Sequence, residues 1–239
     1  MFGGTIAGLY YVWHQVTKLP DWYRESAAPP SPASIQQTTA AVEKRIQQAQ
    51  EAQVQPSAEP QLSASQSPVA VSPAPSPRVE VQVDQAELND LLAAKITTPA
   101  PTNPLSQSVK GLHTEVENET LKTGAIVDIK QLKSSNLGSS DQELVSKITQ
   151  QLPALADQKV YVGIAGKPKV KDGQLQFDDD TRIQVGNLSM TVKEVSDRFG
   201  IPPEQVREKL KLQLKLQGLD VKDIQLQDGK ATLRGAAKP

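Results

Sequence analysis

Three carboxylates stand side by side in FDDDT, residues 177–181, and carboxylate oxygens are what a divalent cation takes. Their spacing argues against such a site. A calcium loop sets its ligands at alternate positions around a glycine, whereas this run is contiguous and has none. Aspartate side chains also accept from nearby backbone N–H groups, so a turn is the expectation here. GIAGKP, residues 163–168, carries two glycines and a lysine, yet it is neither a dinucleotide fingerprint nor a P-loop, and no helical pattern follows. A kink or bulge within a strand suits it better. The chain has two histidines, His14 and His113, and no cysteine, which removes thiol nucleophiles, disulfides and zinc–thiolate sites together. No serine sits in a nucleophile elbow. The sequence thus nominates no catalytic, cofactor-binding or metal-ligating residue, and a non-enzymatic protein without cofactor is expected.

The other motif with a functional outline is TVKEVSDRFGIPPEQVREKL, residues 191–210. Two short amphipathic runs flank Gly200 and Pro202–Pro203, as in a DNA-binding helix-turn-helix. Val195 and Phe199 fit the inner face of the first run, and Ile201 and Val206 continue it. Pro203 suits the first position of the second helix, where its missing N–H goes unused. The charges point away from DNA. Glu204 and Glu208 stand beside Arg207 on the second run, and phosphate binding rests on cations. With 26 basic against 27 acidic residues the chain has no basic footprint either. The expectation is two packed helices covering a sheet. Leu210, Leu212, Leu214 and Leu216 then alternate with lysines and glutamines, a period that favours a strand.

The elements that must position these residues lie in 79–235. VEVQV alternates like a half-buried strand. DQAELNDLLAAKI takes helical period, with Asp84 as N-cap and Glu87 closing a capping box. Residues 109–132 read as a strand pair around ENET. SSDQELVSKITQQL reads as a helix capped by Ser140 or Asp141 and ending before Pro153. KVYVGIAGKPKV and QLQF flank a KDG hairpin turn, TRIQVGNLSM is a further strand, and VKDIQLQ and KATLR flank Asp228–Gly229. Strands in hairpins with helices inserted between them predict an α+β fold with a mainly antiparallel sheet covered by helices. Leu88, Leu91, Leu92, Val160, Val162, Ile164, Ile183 and Val185 supply its apolar faces. Those faces form a core or close over an acyl chain or another protein.

Ahead of this domain the composition changes. Residues 1–16 carry no formally charged side chain and hold Ile6, Leu9, Tyr10, Tyr11, Val12 and Trp13, the residues assigned to a membrane anchor. A 16-residue helix would span about 24 Å, somewhat less than a hydrocarbon core. Lys18, Asp21, Trp22, Tyr23 and Arg24 complete a collar through residue 25 of the kind found at a membrane–water interface. The segment lacks a small-residue cleavage site and reads as a retained anchor. Taken literally, the charge bias puts Lys18 and Arg24 in the cytoplasm; the favoured alternative is a basic stretch upstream of Met1. Twelve of the 18 prolines fall between Ser26 and Pro104. Residues 26–78 accordingly read as a low-complexity, disordered tether with a helix over 34–55, capped by Ser34 and stopped by Pro56. Residues 236–239 are left as a tail.

An apolar segment with TKLPDWY directly after it, a Gln- and Pro-rich tether, VDQAELNDLL, GQLQF, TRIQVGNLSM and a terminal DGKATLRG occur in that order. The chain in this respect resembles uncharacterised bacterial single-pass membrane proteins, some with an extracytoplasmic domain suspected of lipid binding. It also resembles cyanobacterial thylakoid-associated proteins of unknown role. The resemblance implies a thylakoid or plasma-membrane location with the domain on the lumenal or periplasmic side. The function expected is that of a membrane-anchored binding or scaffold protein, with the lipid bilayer as one partner and a protein or lipid ligand at 79–235 as another. Lipid binding by the domain and a helix-turn-helix regulator are the alternatives, nucleic acid being the partner the charges disfavour.

Overall fold

The computed structural model describes residues 30–54, 78–97, 107–213 and 216–237. The expected anchor, most of the expected tether and the last two residues of the expected tail 236–239 lie outside the described residues, while Ala236 and Ala237 belong to the final strand. Among those described, no helix is long and apolar enough to cross a membrane.

The architecture is α+β, with antiparallel pairing throughout the three sheets. Helix α1 (Pro32–Val54) comes first, then β1 (Arg78–Asp84) and α2 (Gln85–Thr97). The hairpin β2 (Val109–Glu117) and β3 (Thr120–Asp128) follows, then α3 (Ile129–Ser134) and α4 (Ser139–Gln151). Next come β4 (Lys159–Gly166), β5 (Pro168–Lys171), β6 (Gln174–Phe177), β7 (Arg182–Val185) and β8 (Leu188–Thr191). Helices α5 (Val192–Phe199) and α6 (Pro203–Leu210) lead to β9 (Leu212–Gln213), β10 (Leu219–Gln227) and β11 (Lys230–Ala237). A central sheet runs β2-β3-β4-β7-β8, a terminal sheet β1-β11-β10 and a small sheet β5-β6-β9.

Local chemistry explains most boundaries. Asp84 and Glu87 form the expected reciprocal cap, the Glu87 N–H reaching Asp84 Oδ1 at 2.8 Å and the Asp84 N–H reaching Glu87 Oε2 at 3.0 Å. Asn118–Glu119, Asp172–Gly173 and Asp228–Gly229 all have positive φ at both positions, which is what a two-residue hairpin turn between right-twisted strands requires. Where β10 and β11 shift register between Val221 and Asp223, Gly235 lies opposite. A Cβ there would stand 2.2 Å from the Asp220 carbonyl oxygen, so only glycine fits.

Several expectations change. The strand expected through residue 132 ends at Asp128, whose carboxylate accepts from the Gln131 N–H at 3.0 Å and starts α3 instead. Helix α4 begins after Gly138 with no side-chain cap, so neither Ser140 nor Asp141 has the role given to it. KVYVGIAGKPKV is two strands in different sheets, parted at Lys167, and TRIQVGNLSM is a hairpin turning at Gly186 and Asn187.

The largest change concerns α1, expected as an isolated helix in a tether and capped by Ser34. Its first turn is capped by Ser31, whose Oγ accepts from the Ser34 N–H at 3.0 Å. Val42 and Ile46 are fully buried against the domain, and Ile35 and Ala49 pack beside them. Burial of this kind contributes about 1.5–3 kcal/mol for each large aliphatic side chain. Ser34 and Thr38 donate to one carboxylate oxygen of Asp90 at 2.6 and 2.7 Å, Arg45 pairs with Glu87, and Gln50 reaches the Gly218 carbonyl. The folded unit therefore starts near Pro32.

Two apolar cores result. The first gathers α1, α2, the terminal sheet, β2–β3 and β6, with Leu88, Leu91 and Leu92 at its centre. The second packs Val192, Val195, Phe199, Ile201 and Val206 from the α5–α6 region onto Val160, Val185 and Met190.

Candidate functional site

Paired residues of an antiparallel sheet share a face. Registers Ala125↔Val162↔Val185 and Thr123↔Ile164↔Ile183 therefore put all six on one side of the central sheet, and Val127↔Val160 belongs with them. That side is the one both cores cover, from opposite ends. Leu121, Val116 and Leu112 lie under the first core, while Val160, Val185 and Met190 lie under the second. Between them the cover is incomplete.

Val162 occupies this gap and is 37% exposed, the one large apolar residue so exposed among the described residues. It sits on β4, the third of five strands, where a sheet packed on that face would ordinarily bury it. Val127, Ile164 and Ile183 beside it are half-buried. Leu210, at the end of α6, packs against both cores. The floor is apolar, apart from Thr123, whose hydroxyl is paired with Thr114 at 3.0 Å. It carries no charge and offers nothing that would polarise a reacting bond. The strip runs across β3, β4 and β7.

The opposite side of the same strands is fixed differently. Tyr161 lies flat over Gly124 and Gly163, which face each other across β3 and β4. A Cβ on Gly124 would fall 2.2 Å from the Tyr161 hydroxyl, and one on Gly163 would fall 2.3 Å from it. The ring thus takes the room that two side chains would fill, with 2% of Tyr161 exposed. GIAGKP contributes this seat through Gly163 and then carries the chain into the small sheet, where Pro168 opens β5.

The acidic run is a turn closed by the Thr181 N–H on the Asp178 carbonyl at 3.2 Å. Asp179 receives Arg207 Nε at 2.7 Å on one oxygen and Arg207 Nη2 at 2.9 Å on the other. The guanidinium holds the Asp179 carboxyl below the ordinary aspartate range. Asp178 stands 3.8 Å from Lys169. Among the described residues no group of three or more His, Asp or Glu side chains is arranged to hold a metal ion.

Residues 191–210 fold as two helices, as expected. Thr191 and Glu194 form a capping box at α5; the Thr191 N–H bond holds the Glu194 carboxyl below its ordinary value. Gly200 ends α5 in the left-handed conformation, and Pro203 begins α6. Val195, Phe199, Ile201 and Val206 are buried in the second core. On the outer side, Glu204 and Glu208 flank an Arg207 already engaged by Asp179. His113 lies on β2 on the Tyr161 side of the sheet. His14 and Ile6, Leu9, Tyr10, Tyr11, Val12 and Trp13 lie outside the described residues.

Sequence reasoning found Val162, Ile164 and Ile183 but did not separate them from the buried Val160 and Val185. It missed Ala125, Val127 and Leu210; alternation through GAIVDI was the available signal for the first two. Comparison of the chain with protein-family models, with curated proteins and with solved structures returns no match.

Proposed function

We propose that this is a non-enzymatic binding protein, held at a membrane by residues 1–16, whose central sheet takes an acyl chain or a comparable apolar ligand. The observation that carries the reading is the exposed Val162 in the middle of the sheet, flanked by the half-buried Val127, Ile164 and Ile183. Contiguous apolar surface, unlike a single exposed side chain, marks a place where something apolar docks, and Val162 is continuous with the half-buried Val127, Ile164 and Ile183. The uncharged, apolar composition of the first 16 residues supports the membrane location, and the lumenal or periplasmic side is the one the resemblance implies. A role in reading DNA draws no support from α6, whose arginine is occupied and whose neighbours are acidic.

The test uses residues 30–239, since α1 completes the first core and a shorter fragment would expose Val79 and Leu88. The purified fragment should carry lipid that solvent extraction and mass spectrometry detect. Val162→Asp, at a site open enough to keep the carboxylate hydrated, should fold normally and emerge without it. A native fragment that is consistently empty, and stays empty after incubation with phospholipid vesicles, refutes the reading.

A further inference from the structure

We infer that docking of α1 keeps the domain close to the very bilayer that holds residues 1–16, so that the apolar floor is loaded from that bilayer rather than from a distant one. The inference rests on the membrane-anchored lipid-binding reading and adds the source of the ligand to it.

It follows from where the folded unit begins. With α1 free of the domain, all of residues 17–77 would lie between anchor and domain. Docked, α1 belongs to the domain, and only residues 17–31 intervene. Whatever their conformation, they extend no further than about 50 Å. The contacts that set this length run along the whole helix. Ser34 and Thr38 hold its first turns to Asp90, Val42 and Ile46 fill the first core, and Gln50 bonds the Gly218 carbonyl near its end. Residues 55–77, which would otherwise extend the spacer, merely return the chain from α1 to β1.

Charge on α1 agrees with a helix that faces its own domain. Arg45 is directed to Glu87 and to the Gln82 carbonyl. The exposed positions of α1 are mostly glutamine and alanine, with Lys44 and Glu51 the charged exceptions, so it lacks the basic face that would lay it on an anionic surface.

The experiment takes the full chain in proteoliposomes. Because the protein lacks cysteine, Ser189→Cys at an exposed position of β8 gives a single labelling site. Energy transfer from a donor there to a rhodamine-labelled lipid reports distance from the bilayer. Pyrene-labelled phospholipid, supplied either in the same vesicles or in protein-free ones, reports loading. Two altered chains are compared with the native one: a Gly/Ser insert of about 45 residues after Ser26, which leaves the fold untouched, and Val42→Asp with Ile46→Asp, which frees the helix. Native protein should show strong transfer, with loading several-fold faster from its own vesicles than from separate ones. Both changes should at least halve the transfer and erase that preference. Weak transfer in the native chain, or an undiminished preference with the insert, overturns the inference. Failure to load pyrene lipid from either source overturns the lipid-binding reading instead, while the distance measurement still decides where the domain stands.

Discussion

Arg207 and Asp179 join α6 to the turn between β6 and β7 through two parallel N–H···O bonds, 28 residues apart in sequence. A planar guanidinium matches a carboxylate in this way with both partners fixed in orientation. The one arginine on α6 is thereby committed to the fold, and an acidic run that resembled a cation site is committed with it.

The pair fixes the sign of a pH effect. Asp179 has its folded-state pKa depressed by the guanidinium, so its contribution is present above the unfolded aspartate value of about 3.9. That contribution is lost as pH falls through the lower folded-state value. A carboxyl-carbon NMR titration should place the Asp179 midpoint below the unfolded aspartate value, and Arg207→Gln should raise it. A native midpoint at or above that value would contradict the pairing.

Gly124 is predicted to be intolerant of a single methyl group. Gly124→Ala drives Cβ into the Tyr161 ring and should destabilise the fold by about 1–3 kcal/mol, the usual range for overpacking. In a Tyr161→Ala background the same change should cost much less, and a double-mutant cycle in urea measures that coupling. Additive effects would mean that the ring does not occupy this seat.

Helix α1 should contribute to global stability. Ile46→Ala ought to cost about 2–5 kcal/mol in equilibrium unfolding, the range for a fully buried large-to-small change. A chain starting at residue 79 should also unfold at lower urea concentration than one starting at residue 30. A free helix would give neither result.

Helix α4 should open before its neighbours. None of its residues is buried, and its half-buried Leu144 and Ile148 lie at the edge of the second core. Its remaining ties include Lys209 on Asp141 and Lys147 on the Gly200 carbonyl. Amide hydrogen exchange should release α4 well ahead of α5, which buries Val192, Val195 and Phe199. Equal protection of the two helices would count against that account.

Much of this fold could be read locally. Turn residues at Asp172–Gly173 and Asp228–Gly229 named two hairpins, Asp84 and Glu87 named a helix start, and the spacing of Val195, Phe199, Ile201 and Val206 named the buried side of two helices. What failed depended on residues far apart in the chain. The composition around α1 suggested a tether, because its apolar content is thin; two positions, Val42 and Ile46, suffice once a hydrophobic surface formed by distant strands is available. The apolar strip showed the same limit. Val160, Val162 and Ile164 alternate identically, and only the placement of the two cores distinguishes the covered valine from the open one.

Strand β11, the last described element, lies in the middle of its sheet, with Arg78 paired to Ala236 on one side and β10 on the other. Among the described residues neither flanking strand has another partner in that sheet, so both stay unpaired until β11 has been made. During synthesis β1 must wait for a strand that follows every other described element, and closing so long a loop is slow. A chain truncated within β11 keeps the bare edges of β1 and β10 and cannot close its first core, so one strand decides whether the two ends of the described fold are joined.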